Sequence, residues 1–285
     1  MDAVRERHAE MRDPAAASRV RPAIGATPML AFAMLDGQGR MLASRNARTV
    51  FYAASTVKLG LMLAVVIAAE RGELSLHDTL ECRRVFFCDS RSRANGNDRH
   101  PGETFRLDPE DSDQLFPSDG TMATIADLVT MMIDRSSNEA TNVLFDRIGP
   151  EPIAEAFRLC RAQDTRMQRR IGDPCAVRAG LTNETSAADL AAVMRAIVSG
   201  ELTTRTNSDW MREVLEAQEH PRIGSVVPAG VPWGSKSGDV PGIEHDVAFV
   251  GPASSRRFLA VCTSGFEPEQ GREAIKGVAQ ALLRE

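Results

Sequence analysis

The order of apolar patterns along the chain constrains its fold most strongly, because short strand-like segments lie at both ends and helical patterns lie between them. Near the start, apolar runs at 28–35 and 41–44 flank Asp36-Gly37-Gln38-Gly39, which is typical of a hairpin turn. Three strand patterns and a helix pattern close the chain: 233–237, 246–250, 258–263 and 267–283. The chain is therefore predicted to begin an antiparallel sheet, leave it for a helical segment, and return to complete it.

The middle of the chain has the 3.6-residue apolar spacing of helices. Helical patterns occur at 59–69, 124–134, 138–148, 152–160, 186–198 and 209–217. The polar segment 85–120 is predicted to be an extended loop with one short helix, and loops of that length are often functional. Residues 1–20 are a polar lead-in with weak helical character.

The length of 285 residues allows one two-lobed domain or two small domains. The interrupted order of elements favours a single domain, 1–285. Its sheet lobe is expected at about 21–54 and 220–285, and its helical lobe at about 55–219.

Composition excludes several classes of function. The net charge of −5, without any basic run, argues against nucleic-acid binding, and no segment reaches the roughly 18 apolar residues of a membrane span. The N-terminus lacks the basic and apolar regions of a secretion signal, which predicts a cytoplasmic protein unless translation starts further upstream. Five irregularly spaced cysteines predict reduced thiols rather than a disulfide framework: Cys82, Cys88, Cys160, Cys175 and Cys262.

Lysine is used sparingly, because only three of the 34 Lys and Arg residues are lysines. Two of them, Lys58 and Lys236, lie in motifs in which a tunable amine has a chemical use that an always-protonated guanidinium lacks. In Ser55-Thr56-Val57-Lys58 the serine and lysine share one face of a predicted helix start. A lysine with a depressed pKa can activate a serine nucleophile there, although Ser-x-x-Lys also occurs by chance. The third, Lys276, lies in a polar helix pattern.

Two further motifs lie at junctions between elements. Ser136-Ser137-Asn138 separates two helical patterns, where it can present polar groups to a cleft or simply cap a helix. Lys236-Ser237-Gly238-Asp239 ends a strand pattern. Its cation and hydroxyl can attract a carboxylate, and its glycine lets a substrate approach closely. An ordinary basic strand end is the simpler interpretation.

Together, in this order, the three motifs resemble those of the penicillin-recognising serine enzymes, above all class A β-lactamases, with their S-x-x-K, S-D-N and K-T-G motifs. The segments 136–144 and 185–190 also resemble that family, and the resemblance extends from about residue 28 to the C-terminus. It implies an α/β (α+β) fold with a five-stranded antiparallel sheet, flanking terminal helices, an inserted helical lobe, and an active site between the two lobes.

The resemblance also implies roles for the motif residues. Ser55 would be the acylated nucleophile, Lys58 its base, and Ser136 the proton donor to the leaving group. Asn138 would hold the amide side chain of a small substrate.

The strand-end motif would bind the substrate. Lys236 and Ser237 would hold the substrate's carboxylate, and Gly238 would let it approach. The backbone N–H groups of Ser55 and Asp239 would form the oxyanion hole. No metal or other cofactor is implied, and Cys82 and Cys88 lack zinc-site partners at suitable spacing.

One departure from the family concerns the second half of the reaction. Class A enzymes use a loop glutamate to activate the water that releases the acyl group. In this chain Ile171 or a neighbour stands there, and Asp173 is the nearest carboxylate, although Asp173-Pro174 is also ordinary turn chemistry. Ser137 replaces the middle aspartate of the second motif.

The sequence therefore predicts a serine hydrolase or acyl transferase that acts on an amide, ester or thioester and deacylates slowly with β-lactams. A true β-lactamase, a D,D-peptidase and a catalytically inactive binding protein remain as alternatives. The oligomeric state stays open.

Overall fold

The computed structural model describes residues 27–88 and 102–284. Its strands are β1 (Met29–Leu35), β2 (Met41–Arg45), β3 (Phe51–Tyr52), β4 (Thr79–Glu81), β5 (Phe86–Phe87), β6 (Thr104–Phe105), β7 (Met122–Thr124), β8 (Arg166–Met167), β9 (Asn183–Thr185), β10 (Trp233–Val240), β11 (Ile243–Val250) and β12 (Arg257–Ser264). Its α-helices are α1 (Lys58–Glu70), α2 (Ile125–Asp134), α3 (Asn138–Ile148), α4 (Pro150–Leu159), α5 (Pro174–Arg178), α6 (Ala187–Ser199), α7 (Arg205–Glu216) and α8 (Pro268–Leu283).

The main sheet has five strands in the order β10-β11-β12-β1-β2, and every neighbouring pair is antiparallel. The two chain ends meet where β1 pairs with β12. Helix α8 packs on one face of the sheet, and α6 packs on the other. This confirms the predicted α/β fold with an antiparallel sheet that is begun early and completed late. The lead-in at 1–20 lies outside the described residues.

Helix α1 is the central element of the helical part of the chain. Its segment Leu59–Val66 is buried throughout, because the sequence there is apolar on all sides and a helix of that kind belongs in a core. It packs against α2, α3, α4 and α6. Gly60 permits the close approach of α4, since a Cβ at this position would lie 2.2 Å from the Cζ atom of Phe157. The helix thus anchors the motif at its own start.

The polar segment 85–120 is described only in part, because residues 89–101 lie outside the described residues. Its described part contains β5 and β6, which pair with each other, and no helix between 102 and 120. The short apolar stretch Val50-Phe51-Tyr52 contains β3, which pairs with β9 outside the main sheet. Helix α5 was not predicted, because a five-residue helix is too short for a periodic apolar pattern.

The expectation of reduced cysteines is wrong for one pair. Cys88 and Cys175 form a disulfide that joins the β5 region to α5 across 87 residues of sequence, whereas Cys82, Cys160 and Cys262 are free and buried. Spacing could not reveal this pair, because the bond depends on a Cα–Cα distance of 5.7 Å that only the folded chain creates. The cysteines therefore give no support to a reducing compartment.

The disulfide predicts a thiol count. Protein denatured without reductant should expose three reactive thiols, and five after reduction. Reduction should also lower the free energy of unfolding by up to about 4 kcal/mol, because it frees a long closed loop in the unfolded chain. Thiol titration and urea denaturation test both statements. Cys160→Ser is the control, which should lose one thiol and keep the disulfide. Five thiols in unreduced protein purified in air would contradict the bond.

Among the described helices, none has the length and apolar content to cross a membrane.

Candidate active site

Ser55 lies at the junction between β3 and α1, in a short 3₁₀ helix, Ala54–Val57. Ala54 has a φ of 47°, in the left-handed region that a residue with a side chain seldom adopts. The neighbours Ala54, Thr56 and Val57 are buried, and Ser55 is partly exposed. The turn therefore presents one hydroxyl group to solvent from a rigid support.

Strand β10 passes directly beside this turn. A Cβ added to Gly238 would lie 2.7 Å from the backbone nitrogen of Ser55 and 2.8 Å from that of Thr56. Only glycine allows this approach, which is the physical reason for the glycine in the strand-end motif. It brings the backbone around Asp239 next to Ser55.

Lys58 is fully buried one turn after Ser55. Its Nζ donates to Asn138 Oδ1 at 2.7 Å, to the Ser136 carbonyl oxygen at 2.8 Å, and to Ser136 Oγ at 3.1 Å. The first motif is thus joined to the second across 78 residues of sequence.

Lys236 is also fully buried. Its Nζ donates to Ser136 Oγ at 3.0 Å and to the Ser237 carbonyl oxygen at 2.9 Å. Ser136 Oγ therefore lies between the two lysine amines, and it is the point at which all three motifs meet. The structure thus brings Lys58, Ser136, Asn138 and Lys236 together.

In Ser136-Ser137-Asn138, one residue caps a helix and the other two present polar groups to the lysines. Ser137 is the N-cap of α3, and its Oγ accepts a hydrogen bond from the backbone N–H of Ala140 at 3.3 Å. Ser136 has a φ of 62° and turns its hydroxyl towards the lysines. Asn138 accepts from Lys58 and donates from Nδ2 to the Asp111 carbonyl oxygen at 2.7 Å. Capping and site formation are both present.

Burial changes the protonation of the two lysines. Burial lowers the pKa of Lys58 well below its usual value, and the neighbouring charge of Lys236 lowers it further. Burial lowers the pKa of Lys236 to about 7. Because these amines share a partner, their protons are lost as a coupled pair. One neutral amine can thus exist here near neutral pH.

This burial predicts that stability rises with pH. Above pH 7 the Lys236 amine is neutral in the folded protein. In the unfolded chain the pKa of the same amine is 10.5, so it is still protonated there. The unfolded state then binds more protons, so the free energy of unfolding should rise by roughly 1–2 kcal/mol between about pH 7 and 8.5. Urea denaturation at these two pH values measures it. Lys236→Met should show a smaller rise, and an equal rise in both proteins would contradict the assignment.

A model of the β-lactamase enzyme family matches residues 18–285. The chain belongs to this family. A search of curated proteins found no match.

Solved structures agree with this membership in the β-lactamase family. A β-lactamase from Sphaerobacter thermophilus is 27% identical, with a TM-score of 0.74 and 95% of both chains covered. A β-lactamase from Xanthomonas campestris is 21% identical, with a TM-score of 0.72 over 99% of this chain and 96% of that one. PBP-A is 20% identical, with a TM-score of 0.70 over 95% of this chain and 96% of that one. The structures of the Xanthomonas campestris β-lactamase and of PBP-A, which are less similar in sequence, show that their fold is the fold of this chain.

Asn142 holds the loop at Ile171, the residue that the resemblance aligns with the glutamate of class A enzymes. The side chain of Asn142 donates from Nδ2 to the Ile171 carbonyl oxygen at 2.9 Å and accepts from the Ile171 N–H at 2.8 Å. Asn142 and Asn138 are four residues apart on α3, so they share one face of the helix. Ile171, which is partly exposed, is thus held on the face of α3 that contributes Asn138 to the site.

Asp173 is a helix-capping residue. It is fully buried, and its Oδ1 accepts from the N–H groups of Cys175 at 3.0 Å and Ala176 at 2.9 Å, at the start of α5. Its Oδ2 lies 3.8 Å from Nη1 of Arg170. These contacts are the turn chemistry that was the simpler interpretation of Asp173-Pro174.

Sequence reasoning missed Arg222, which is buried beside the strand-end motif. Its Nη2 donates to Asp239 Oδ1 at 2.9 Å and to Glu244 Oε2 at 3.0 Å, and its Nη1 donates to the His220 carbonyl oxygen. Nothing in the spacing indicated this residue, because it lies in an irregular segment between α7 and β10. It places a guanidinium at the end of the site that was expected to bind a carboxylate.

The described residues contain one group of atoms that could hold a metal ion, formed by Cys88, Glu103 and Cys175. Two of these three are joined in the disulfide.

Proposed function

We propose that this protein is a serine acyl enzyme that forms an ester on Ser55 with a small amide, ester or thioester substrate and releases the acyl group slowly. The observation that carries the proposal is Ser136 Oγ, which is hydrogen-bonded to both Lys58 Nζ and Lys236 Nζ. A nucleophile, a base with a lowered pKa and a proton relay are the parts that acylation of a serine requires.

The acylation step follows from these positions. Neutral Lys58 takes the proton of the Ser55 hydroxyl as its oxygen attacks the substrate carbonyl carbon. The resulting oxyanion accepts hydrogen bonds from the backbone N–H groups of Ser55 and Asp239, and such preorganised donors are worth about 3–4 kcal/mol each. Ser136 then gives its proton to the departing nitrogen, oxygen or sulfur, and regains one from the lysine pair. The leaving group departs, and the acyl group stays on Ser55.

The remaining motif residues bind the substrate. Asn138 holds the amide side chain of the acyl group through its carboxamide, and Lys236 and Ser237 line the edge formed by β10. Gly238 keeps this edge close to Ser55.

Deacylation is the step that we propose to be slow. Ile171, an apolar side chain, is held where class A members carry the glutamate that activates water, and Asp173, the other candidate base, caps α5. With an apolar side chain at residue 171 and Asp173 engaged as a helix cap, water attacks the ester slowly.

Intact-protein mass spectrometry with a penicillin tests this function. We expect an adduct with the mass of the intact drug within minutes, which persists for hours. Rapid clearance with accumulation of hydrolysed drug would indicate an efficient β-lactamase, the second candidate, which membership in the β-lactamase family favours. The absence of any adduct with penicillin or a serine-reactive phosphonate would favour a catalytically inactive binding protein.

A further inference from the structure

The guanidinium of Arg222 is already neutralised by the protein. Its side chain is only 9% exposed, and it is paired with two carboxylates, Asp239 at 2.9 Å and Glu244 at 3.0 Å. The Nε atom also donates to Glu244, and Nη1 donates to the His220 carbonyl oxygen. A cation in this state has little capacity left for a substrate carboxylate.

Asp239 stands at the edge where the substrate would lie. Side chains alternate along a strand, so Asp239 and Ser237 project from the same face of β10. The side chain of Asp239 is 53% exposed, whereas Ser237 is buried. Asp239 and Arg222 also line an open cavity of about 480 Å³, together with Arg272 and Lys276 of α8. The Asp239 carboxylate therefore reaches solvent beside the group expected to bind the substrate.

Further acidic side chains lie close to this carboxylate. Asp239 faces Glu244 across the strand pair, and Ser237 faces Asp246, which is fully buried. The Arg222 guanidinium contacts Asp239 and Glu244, and Arg272 reaches Glu244 Oε1 at 3.0 Å, whereas Asp246 accepts from the backbone N–H of Arg222. Asp239 and Glu244 therefore occupy both guanidiniums, and Lys236 is a further cation beside Ser237.

We propose that Asp239 is a specificity-determining residue that disfavours a carboxylate beside Ser237, so that the acyl donor of this protein carries an uncharged or cationic group there. A substrate carboxylate at this position would meet a like charge at short range and would compete with Asp239 for Arg222. This inference rests on the proposed acyl-enzyme function, and it revises the expectation of a carboxylate-bearing substrate.

The test compares benzylpenicillin with its methyl ester, which differ in that one charge. Rates of Ser55 acylation by each compound are measured by mass spectrometry in the wild type and in Asp239→Asn. The wild type should react faster with the ester. The substitution should raise the rate constant for the acid about tenfold or more and that for the ester less than about threefold, since it removes a repulsive charge that only the acid experiences.

The ratio of the two rate constants is the decisive quantity. Any loss of folded protein cancels in this ratio. Asp239 also raises the pKa of Lys58 and Lys236, so its replacement makes Lys236 less cationic, which disfavours the acid and opposes the predicted change. Asp209→Asn is the matched control, because Asp209 on α7 is an arginine-paired carboxylate of similar exposure, 48%. It should leave the ratio unchanged.

Three outcomes would overturn the inference. A wild type that prefers the acid, or an Asp239→Asn variant with an unchanged ratio, would show that Asp239 does not select against carboxylates while leaving the acyl-enzyme function intact. Failure of both compounds to label Ser55 in every protein would contradict the proposed function, and the inference with it.

Discussion

Ser55→Ala is expected to abolish the covalent adduct with a penicillin, with a fall in labelling rate of at least ~10⁴-fold, because removal of the nucleophile of a preorganised site has effects of that size. Ser55 is the partly exposed hydroxyl group of a turn whose other residues are buried. Its replacement removes one oxygen atom and leaves that turn packed against β10. The measurement is the fraction of protein carrying one drug mass, followed from seconds to hours.

A matched serine provides the control for this prediction. Ser254 is exposed in the 3₁₀ helix Ala253–Ser255, and Ser254→Ala should be labelled at the wild-type rate. Thermal unfolding of both variants reports whether the fold is kept. An adduct that forms equally fast in Ser55→Ala would place the nucleophile elsewhere and reject the assigned role.

Ile171→Glu is expected to accelerate loss of the acyl group by roughly 10²-fold or more, the effect of a positioned general base. The Asn142 carboxamide donates to the Ile171 carbonyl oxygen and accepts from the Ile171 N–H, so it holds residue 171 in place whatever its side chain. Because Ile171 is partly exposed, a glutamate there need not pay the full cost of burying a charge. The decay of the adduct after removal of free penicillin gives the rate.

Ile171→Gln separates base catalysis from simple access of water. Glutamine has nearly the size of glutamate but does not accept a proton at neutral pH, so this variant should deacylate within about threefold of the wild type. Equal acceleration in both variants would mean that the isoleucine acts by excluding water. No acceleration in Ile171→Glu would mean that a carboxylate at residue 171 does not reach the ester.

The sequence alone predicted the elements whose signals are local. The hairpin of β1 and β2, the helices α1 to α4, α6, α7 and α8, and the three closing strands all have apolar periods that a few neighbouring residues determine. The motif residues Ser55, Lys58 and Lys236 were visible for the same reason, since each motif is a short string at a predicted junction. Order along the chain then indicated the family, and the family indicated the fold.

Only the tertiary structure decided which distant groups meet. Ser136 lies 78 residues from Lys58 and 100 from Lys236, yet its hydroxyl joins them. Other contacts likewise join residues that no sequence periodicity relates. They are the Cys88–Cys175 disulfide, the hydrogen bonds between Asn142 and Ile171, and the ion pair of Arg222 and Asp239. Such contacts depend on the path of the whole chain, because burial, pKa and ion pairing arise from neighbours in space and not from neighbours in sequence.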